Sequence, residues 1–246
     1  MSDTQPTVVL LHGAFAESAS WNPVIERLHA HGVESIAVAN PLRSLAGDAA
    51  YVRDVIASIA GPVVLVGHSY AGMVITEAAA ANEAVVGLVY VNAFVPEHGQ
   101  SAFDLSSSAP GSTLADALKA YPVSTGGNEF AIKHEQFHHQ FAADVSTQTA
   151  GLMATTQRPV TQAALSDALA AQSPAWKTIP SWFVFSDADL NIPVAVHRDG
   201  AARAHSRGTR ELAGGSHAIS VSRPDEVTQT ILDALEGVAA AASVAA

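Results

Sequence analysis

The stretch with the most chemical content is "PVVLVGHSYAGMV", residues 62–74. Its centre, "GHSYA", approximates the pattern G-x-S-x-G, in which a serine stands on a sharp turn between a strand and a helix. Such a turn lifts the hydroxyl of the serine, here Ser69, above the end of the sheet, where it can act as a nucleophile. Ala71 replaces the second glycine and adds one methyl group. A serine before a helix can also be an ordinary N-cap, so the motif alone leaves two interpretations.

Residues farther along the chain supply the partners that a nucleophilic serine needs. The stretch "FVFSDADLNIP" offers an acid, Asp187 or Asp189, after one apolar run, and "GGSHAISVSRP" offers His217 after another. A histidine can accept the proton of the serine, and the acid then orients the imidazole. The order serine, acid, histidine is typical of a site built on loops that follow parallel strands. Because position and order agree, the sequence favours a nucleophile at Ser69 over an N-cap.

The first apolar run ends in "HGAF", residues 12–15. In this architecture the loop after such a strand directs backbone N–H groups toward the nucleophile. We predict that the amides of Ala14 and of Tyr70, the residue after the serine, form an oxyanion hole. A glycine after a strand is common, so this motif supports the site only together with the others.

The motifs lie in an alternation of apolar strands and amphipathic helices. Strands that are apolar on both faces and separated by helices indicate a parallel sheet covered by helices on both sides. The sequence predicts strands at 7–13, 34–40, 62–68 and 85–94, within 180–193 and near 208–214. It predicts helices at 20–32, 49–61, from Tyr70 onward, at 194–204 and at 224–235.

The alternation is interrupted between residue 97 and about residue 178. This segment contains no convincing strand but has helical pieces such as 161–172. We therefore predict an α/β fold with about six mainly parallel strands flanked by helices. Residues 1–96 and 179–246 would form the core, and residues 97–178 would form a helical lid inserted after the fourth strand. The alanine-rich end after residue 235 is expected to fray.

Composition limits the classes of function. Hydrophobic residues make up 48% of the 246 residues and charged residues 14%, which suits a compact enzyme. The net charge of −11 offers no basic surface for nucleic acid or anionic lipid. The chain has no cysteine, which excludes a disulfide scaffold and a thiol nucleophile. The start lacks the features of a signal peptide, and the apolar runs are too short to span a bilayer. We expect a cytoplasmic, bacterial protein that is a monomer or homodimer.

One other cluster could do chemistry. His134 and His138 in "KHEQFHHQF" have the i, i+4 spacing that can bind zinc on a helix, but no further ligand motif follows. Phe137 and Phe141 share their helical face, which favours packing beside a pocket. No glycine pair forms G-x-G-x-x-G, so nothing indicates a dinucleotide. We predict no metal and no cofactor.

The sequence resembles the α/β-hydrolases, and more narrowly the small branch of plant methyl-ester esterases, hydroxynitrile lyases and their bacterial relatives. The likeness covers essentially the whole chain. In this branch the acid usually precedes a proline in the pattern D-x-x-x-P, which Asp189 and Pro193 match and Asp187 does not. Many bacterial members carry alanine where Ala71 stands. The stretches that carry the likeness are "VVLLHGAFAESASWNPVIERL", "VVLVGHSYAGMVITEAA", "LVYVNAFVPEHG" and "GGSHAISVSRP".

The resemblance implies a lidded serine hydrolase without a cofactor, in which Ser69, His217 and Asp189 form the catalytic triad. The expected substrate is a small, largely apolar carboxylic ester, cleaved through an acyl-enzyme. We predict that the pocket is lined by aromatic residues, namely Phe15, Phe137, Phe141 and Trp176.

Alternatives on the same fold remain open. Plant hydroxynitrile lyases typically carry a lysine beside the catalytic histidine and a threonine in the first loop. This chain has Ala218 and Gly13 there, which favours an esterase. A cofactor-free haloperoxidase or a hydrolase of carbon–carbon bonds would use a similar triad. A ligand-binding receptor without catalysis is the alternative from another class.

Overall fold

The computed structural model describes residues 5–124 and 126–245. Within these ranges the chain forms nine strands. In chain order they are Thr7–Leu11 (β1), Ser35–Val38 (β2), Val63–His68 (β3), Val85–Val91 (β4), Leu118–Pro122 (β5), Asn128–Ile132 (β6), Val160–Thr161 (β7), Ser181–Ser186 (β8) and Gly208–Leu212 (β9).

The same ranges contain eleven α-helices and two short 3₁₀ helices, Ser18–Trp21 and Ala175–Lys177. None of the helices in this part of the chain has the length and apolar character needed to cross a membrane. The α-helices are Asn22–Ala30 (α1), Leu45–Ala57 (α2), Ala71–Ala78 (α3), Ala102–Ser106 (α4), Leu114–Ala117 (α5), His134–Phe141 (α6), Thr147–Thr156 (α7), Gln162–Ser166 (α8), Val194–Arg203 (α9), Ile219–Ser222 (α10) and Pro224–Ala245 (α11).

The main sheet has six parallel strands in the order β2-β1-β3-β4-β8-β9. The prediction of a six-stranded, mainly parallel core is confirmed. The chain moves outward from β1 to β2, then returns to place β3 on the other side of β1. In open parallel sheets, ligands bind beyond the carboxyl ends of the strands where the order reverses in this way. The loops that carry Gly13 and Ser69 leave the sheet at this point.

The strands are buried on both faces because two helical layers cover them. Val8 and Leu10 of β1 face a layer built from α1, α10 and α11, whereas Val9 and Leu11 face the layer that contains α2 and α3. The alternation of side chains along a strand produces this division. The continuous apolar runs of the sequence thus supply two cores, one on each side of the sheet.

The segment between β4 and β8 differs from the expectation. It contains helices α4 to α8, but β5, β6 and β7 also form an antiparallel sheet, so the expectation that residues 97–178 hold no strand is wrong. The sequence does not predict this sheet because β5 is exposed along most of its length and carries no alternating apolar pattern. The helix expected at 161–172 ends at Ser166, where Asp167 turns to extended backbone and its carboxylate accepts the amide of Leu45.

The last helix is longer than expected. Helix α11 continues through the alanine-rich stretch to Ala245 instead of ending near residue 235. Alanine has the highest helix propensity, and the helix packs on the sheet beyond residue 235. A Cβ at Gly237 would lie 2.5 Å from the ring of Trp182, and Val238 contacts the strand at Gly87.

Helix α3 begins close to the loop after β4, and Gly72 makes this approach possible. A Cβ at position 72 would lie 2.1 Å from the carbonyl oxygen of Phe94 and 3.0 Å from the Cβ of Ala93. Because these neighbours are a backbone and a short side chain, the helix itself would have to move.

We therefore expect Gly72→Ala to lower the free energy of unfolding by about 1–3 kcal/mol, the usual range for overpacking a core. Gly151→Ala is the matched control, because a Cβ at this helical position meets nothing within 4 Å. It should raise the free energy by about 0.5–1 kcal/mol through helix propensity. Urea unfolding of both variants measures the difference, and equal effects would contradict the account.

Candidate active site

Ser69 occupies a strained turn between β3 and α3. Its φ of 58° lies in the left-handed region, which costs a non-glycine residue about 1–2 kcal/mol. Backbone hydrogen bonds hold it there: its N–H donates to the carbonyl of Val91, and its carbonyl accepts the amides of Gly72 and Phe94. Ala71 fits at the start of the helix, fully buried, so the missing second glycine does not prevent the turn.

The loop after β1 lies directly against this turn. A Cβ at Gly13 would lie 2.6 Å from the carbonyl oxygen of His68 and 2.6 Å from the Cβ of Ser69. Only glycine allows this approach without movement of the backbone. The approach places Ala14, the residue after Gly13, in the wall of the same cavity as Ser69.

His217 and Asp189 form a buried pair. Nδ1 of His217 donates to Oδ2 of Asp189 over 2.7 Å, and both side chains are almost completely buried. The other oxygen, Oδ1, accepts the amides of Asn191 and Ile192 over 2.7 and 3.1 Å. Asp187 is exposed, and its carboxylate accepts the amide of Gly214 instead. Of the two acids suggested by the sequence, Asp189 is the one that contacts His217.

The carboxyl of Asp189 is held in its charged form. Burial raises its pKa, but the charge of His217 and the hydrogen bonds from His197 and His217 together outweigh burial, so the pKa lies well below its ordinary value. A buried carboxylate accepting several N–H groups is stabilised as the anion. The carboxylate is therefore charged beside the imidazole at neutral pH.

His197 is a second imidazole on the same carboxylate, and no sequence motif predicts it. Its Nε2 donates to Oδ2 of Asp189 over 3.3 Å, and its ring stacks on Phe185 with 5.4 Å between centroids. It lies on α9, one turn beyond Pro193. Since a histidine on a helix is a common surface residue, only the packing of α9 against β8 shows that it is buried and faces Asp189.

The backbone of His217 is fixed by two donors. Its carbonyl accepts Nε2 of His68 over 2.9 Å and Nδ2 of Asn92 over 3.2 Å. Its ring meets the edge of Phe141, with 4.9 Å between centroids. Among the described residues, Nε2 of His217 has no hydrogen-bond partner, Ser69 included. Nδ1 and the carbonyl are thus held while Nε2 remains able to accept a proton.

Two further buried histidines next to the site are neutral. Burial lowers the pKa of His68 to about 3 and that of His12 to about 4. Nε2 of His12 accepts the amide of Asn40, so its proton is on Nδ1, which donates to the carbonyl of Gly13. Both neutral rings thus hold backbone groups around the site in place through hydrogen bonds.

A cavity of about 130 Å³ opens at Ser69. It is bounded by the two loops described above, by the loop after β8 and by α4, α5 and α8 of the inserted segment. Within the described ranges, the amides of Ala14 and Tyr70 donate no hydrogen bond, so both can serve a ligand. The hydroxyl of Tyr70 is occupied, because it donates to the buried Asp48. The lining residues are Ala14, Phe15, Ser69, Tyr70, Phe94, Ala102, Phe103, Ser106, Ser112, Leu114, Ala115, Leu118, Leu165, Asn191 and Ile192.

The aromatic residues expected in the pocket have different positions. Phe15 lines the cavity. Phe137 and Phe141 stack on each other and are buried behind His217, outside the lining. Trp176 lies away from the site: its Nε1 donates to the carbonyl of Pro96, and its ring contacts Lys177 and Arg203 in a separate surface groove. The expectation for Trp176 is wrong because the 3₁₀ turn that carries it packs on α3 and places the ring in that separate groove.

The two histidines at zinc-binding spacing do not converge. Nε2 of His138 bonds to the carbonyl of Val145, and Nε2 of His134 bonds to the hydroxyl of Thr155. Throughout residues 5–124 and 126–245, no group of three or more His, Asp or Glu side chains could hold a metal ion.

The chain also matches a known family. Residues 8–230 match the model of the alpha/beta hydrolase family. The chain belongs to the α/β-hydrolase family. Among characterised relatives, this α/β hydrolase is 27% identical to the alpha/beta hydrolase nvfD of Aspergillus novofumigatus (strain IBT 16806), over 94% of this chain and 96% of that one. It is 47% identical over 64 residues to a carbendazim hydrolyzing esterase of Nocardioides sp. (strain SG-4G), a match that spans 24% of this chain and only 26% of that relative.

Solved structures show the same fold. Polyneuridine aldehyde esterase has a TM-score of 0.80 at 20% identity, over 94% of this α/β hydrolase and 99% of that chain. A methylesterase from Arabidopsis has a TM-score of 0.78 at 17% identity, over 94% and 99%. A pyrethroid hydrolase from Sphingobium faniae JZ-2 has a TM-score of 0.75 at 20% identity, over 95% and 98%. These neighbours match the branch that the sequence resembles, and at such identities they establish the fold alone.

The neutral histidines predict how stability depends on pH. A histidine has a pKa of about 6.5 when unfolded, so unfolding takes up a proton at His68 between about pH 6.5 and pH 3. The contribution of neutral His68 to the free energy of unfolding is complete above pH 6.5. As the pH falls below that value, this free energy decreases by about 1.4 kcal/mol per pH unit.

We expect His68→Gln to flatten the pH dependence of the free energy of unfolding between pH 4.5 and 6 by about that slope. Glutamine can keep an N–H donor for the carbonyl of His217 but does not titrate. Urea unfolding of the wild type and the variant across this range measures the change. Parallel curves would show that His68 is not buried as a neutral ring.

Proposed function

We propose that this α/β hydrolase is a carboxylesterase that cleaves small, largely apolar esters through an acyl-enzyme on Ser69. The observation that carries the proposal is the buried pair of His217 and Asp189, which lies at the same edge of the sheet as Ser69. Nε2 of His217 has no hydrogen-bond partner among the described residues. The mostly apolar lining of the cavity supports an apolar substrate. The names of several relatives, which are esterases, agree with this class of reaction.

In the proposed mechanism, Nε2 of His217 takes the proton of Ser69 as the hydroxyl attacks the ester carbonyl. Asp189 holds the imidazole in the tautomer with the proton on Nδ1 and stabilises the imidazolium. The amides of Ala14 and Tyr70 bind the developing oxyanion, each donor contributing about 3–4 kcal/mol. His217 then protonates the leaving alcohol, and water hydrolyses the acyl-enzyme by the same steps in reverse order. Hydrogen bonds of this kind commonly tighten only when the substrate is bound.

The loop geometry favours this reaction over cyanohydrin cleavage. Position 13 must be glycine, since a Cβ there would overlap the turn at Ser69, and a threonine side chain has no room. Ala218, next to His217, is buried and brings no positive charge. The cyanide that leaves a cyanohydrin would therefore find neither the hydroxyl nor the cation expected in the lyases.

The proposal predicts that Ser69→Ala abolishes turnover of p-nitrophenyl esters from acetate to decanoate, with a loss of at least about 10³-fold in kcat. Ser58→Ala is the matched control: it changes an exposed serine whose hydroxyl bonds only the carbonyl of Val55 within its own helix turn. The control should keep the wild-type rate. The optimal chain length also measures the size of the acyl pocket.

Three results would contradict the proposal. Retained activity in Ser69→Ala would show that Ser69 is not the nucleophile. A wild type that cleaves cyanohydrins but no ester would make it a lyase. A wild type that binds esters without turnover would make it a receptor.

His197 should act as a positioning residue for Asp189. Phenylalanine at this position keeps the stacking on Phe185 but loses the N–H donor, so the carboxylate is less firmly oriented toward His217. We expect His197→Phe to lower kcat by about tenfold with little change in KM, as loss of a hydrogen bond to a charged group implies. His197→Gln, which retains an amide donor, should recover most of kcat. If both variants lose kcat equally, or if KM changes instead, His197 serves packing alone.

A further inference from the structure

A chain of hydrogen bonds fixes the orientation of one amide at the cavity. The carbonyl of Leu190 accepts the amide of Thr113 over 3.0 Å and the side chain of Gln140 over 2.9 Å. A carbonyl can only accept, so the atom of Gln140 that faces it must be the amino nitrogen. The oxygen of Gln140 then faces Thr113, whose hydroxyl donates to it over 2.9 Å.

The same amino group determines how Asn191 is turned. Nε2 of Gln140 lies 2.8 Å from the side-chain oxygen of Asn191 and donates to it. The oxygen of Asn191 is therefore committed to Gln140, and its Nδ2 must point the other way. Asn191 is only 3% exposed and lines the cavity that opens at Ser69. In the described part of the chain, no group accepts a hydrogen bond from this Nδ2.

The other polar side chains of the cavity are occupied or are hydroxyls. The hydroxyl of Ser106 donates to the carbonyl of Phe103, and that of Tyr70 donates to Asp48. Among the described lining residues, Asn191 is the one that brings a side-chain N–H donor. The lining of the cavity is otherwise largely apolar, so a ligand that brings an acceptor oxygen would gain a hydrogen bond from this donor.

We propose that Asn191 is a specificity-determining residue whose Nδ2 donates to an acceptor oxygen of the substrate. The substrate class is then a small ester whose otherwise apolar body carries one further carbonyl, ether or hydroxyl oxygen away from the scissile bond. This inference rests on the proposed esterase function. It adds to that function a preference that apolar lining alone would not produce.

The test compares pairs of esters that differ by one acceptor oxygen. The pairs are p-nitrophenyl methoxyacetate with butanoate, p-nitrophenyl 4-oxopentanoate with 4-methylpentanoate, and 2-methoxyethyl with butyl propanoate. For each pair the ratio of kcat/KM is measured in the wild type and in Asn191→Leu, which removes the donor and nearly keeps the volume. Dividing the two ratios cancels the intrinsic reactivity of each ester.

We expect Asn191→Leu to lower the preference for the oxygen-bearing ester by about three- to tenfold in at least one pair. The matched control is Asn22→Leu, which makes the same change at the exposed start of α1 and should leave all ratios unchanged. Asn191→Asp is the second variant: it has the same shape, can still accept from Gln140, and presents an acceptor to the cavity. It should also lose the preference, and it keeps the test valid if the leucine variant does not fold.

The outcomes separate the two proposals. If Ser69→Ala abolishes turnover of both members of every pair but the ratios are the same in the wild type, Asn191→Leu and Asn191→Asp, the inference about Asn191 is wrong and the esterase function stands. If Ser69→Ala retains turnover, the esterase function itself is wrong. A loss of preference in both Asn191 variants, with Asn22→Leu unchanged, supports the inference.

Discussion

The site depends on how closely three backbone segments approach one another after β1, β3 and β4. Gly13 lies against the turn at Ser69, Gly67 against the backbone of Ala71, and Gly72 against the carbonyl of Phe94. At each position a Cβ would lie within 3 Å of backbone or of a short side chain. These contacts, together with the hydrogen bonds to Ser69, stabilise a left-handed serine that would otherwise relax to ordinary helix or strand backbone. The glycine that is missing from the motif, at Ala71, is not among the positions where a Cβ would collide.

A second layer of polar groups connects the loops that this packing brings together. Asn92, itself at a positive φ of 40°, accepts the amide of Ser186 and donates to the carbonyls of Ser216 and His217. The loops after β4, β8 and β9 are thus joined by one side chain. His68 adds a bond from the loop after β3 to the same carbonyl of His217. Since these groups are neutral and buried, their geometry depends little on salt.

The sequence predicted the parts of this arrangement that follow from local pattern and chain order. The continuous apolar strands predict a parallel sheet, and a serine, an acid and a histidine that each follow one of its strands are then expected at the same edge of it. The family pattern favours Asp189 over Asp187, and the structure shows the physical difference: the carboxylate of Asp189 accepts the amides of Asn191 and Ile192 and faces His217, whereas Asp187 is exposed. His197 could not be predicted, because its burial depends on how α9 rotates against β8.

The inserted segment is where sequence was least informative, and it also determines the chemistry of the cavity. Its small sheet carries no clear periodicity, and nothing in the sequence shows that the Trp176 side chain bonds to Pro96 and contacts Arg203 instead of lining the cavity. What decides the polarity of the cavity is a hydrogen bond from Gln140, on α6 of the insertion, to Asn191, on the core. If an apolar residue replaced Gln140, Asn191 could turn its oxygen or its amino group toward the substrate. The insertion therefore selects between donor and acceptor at a position of the core that it never replaces.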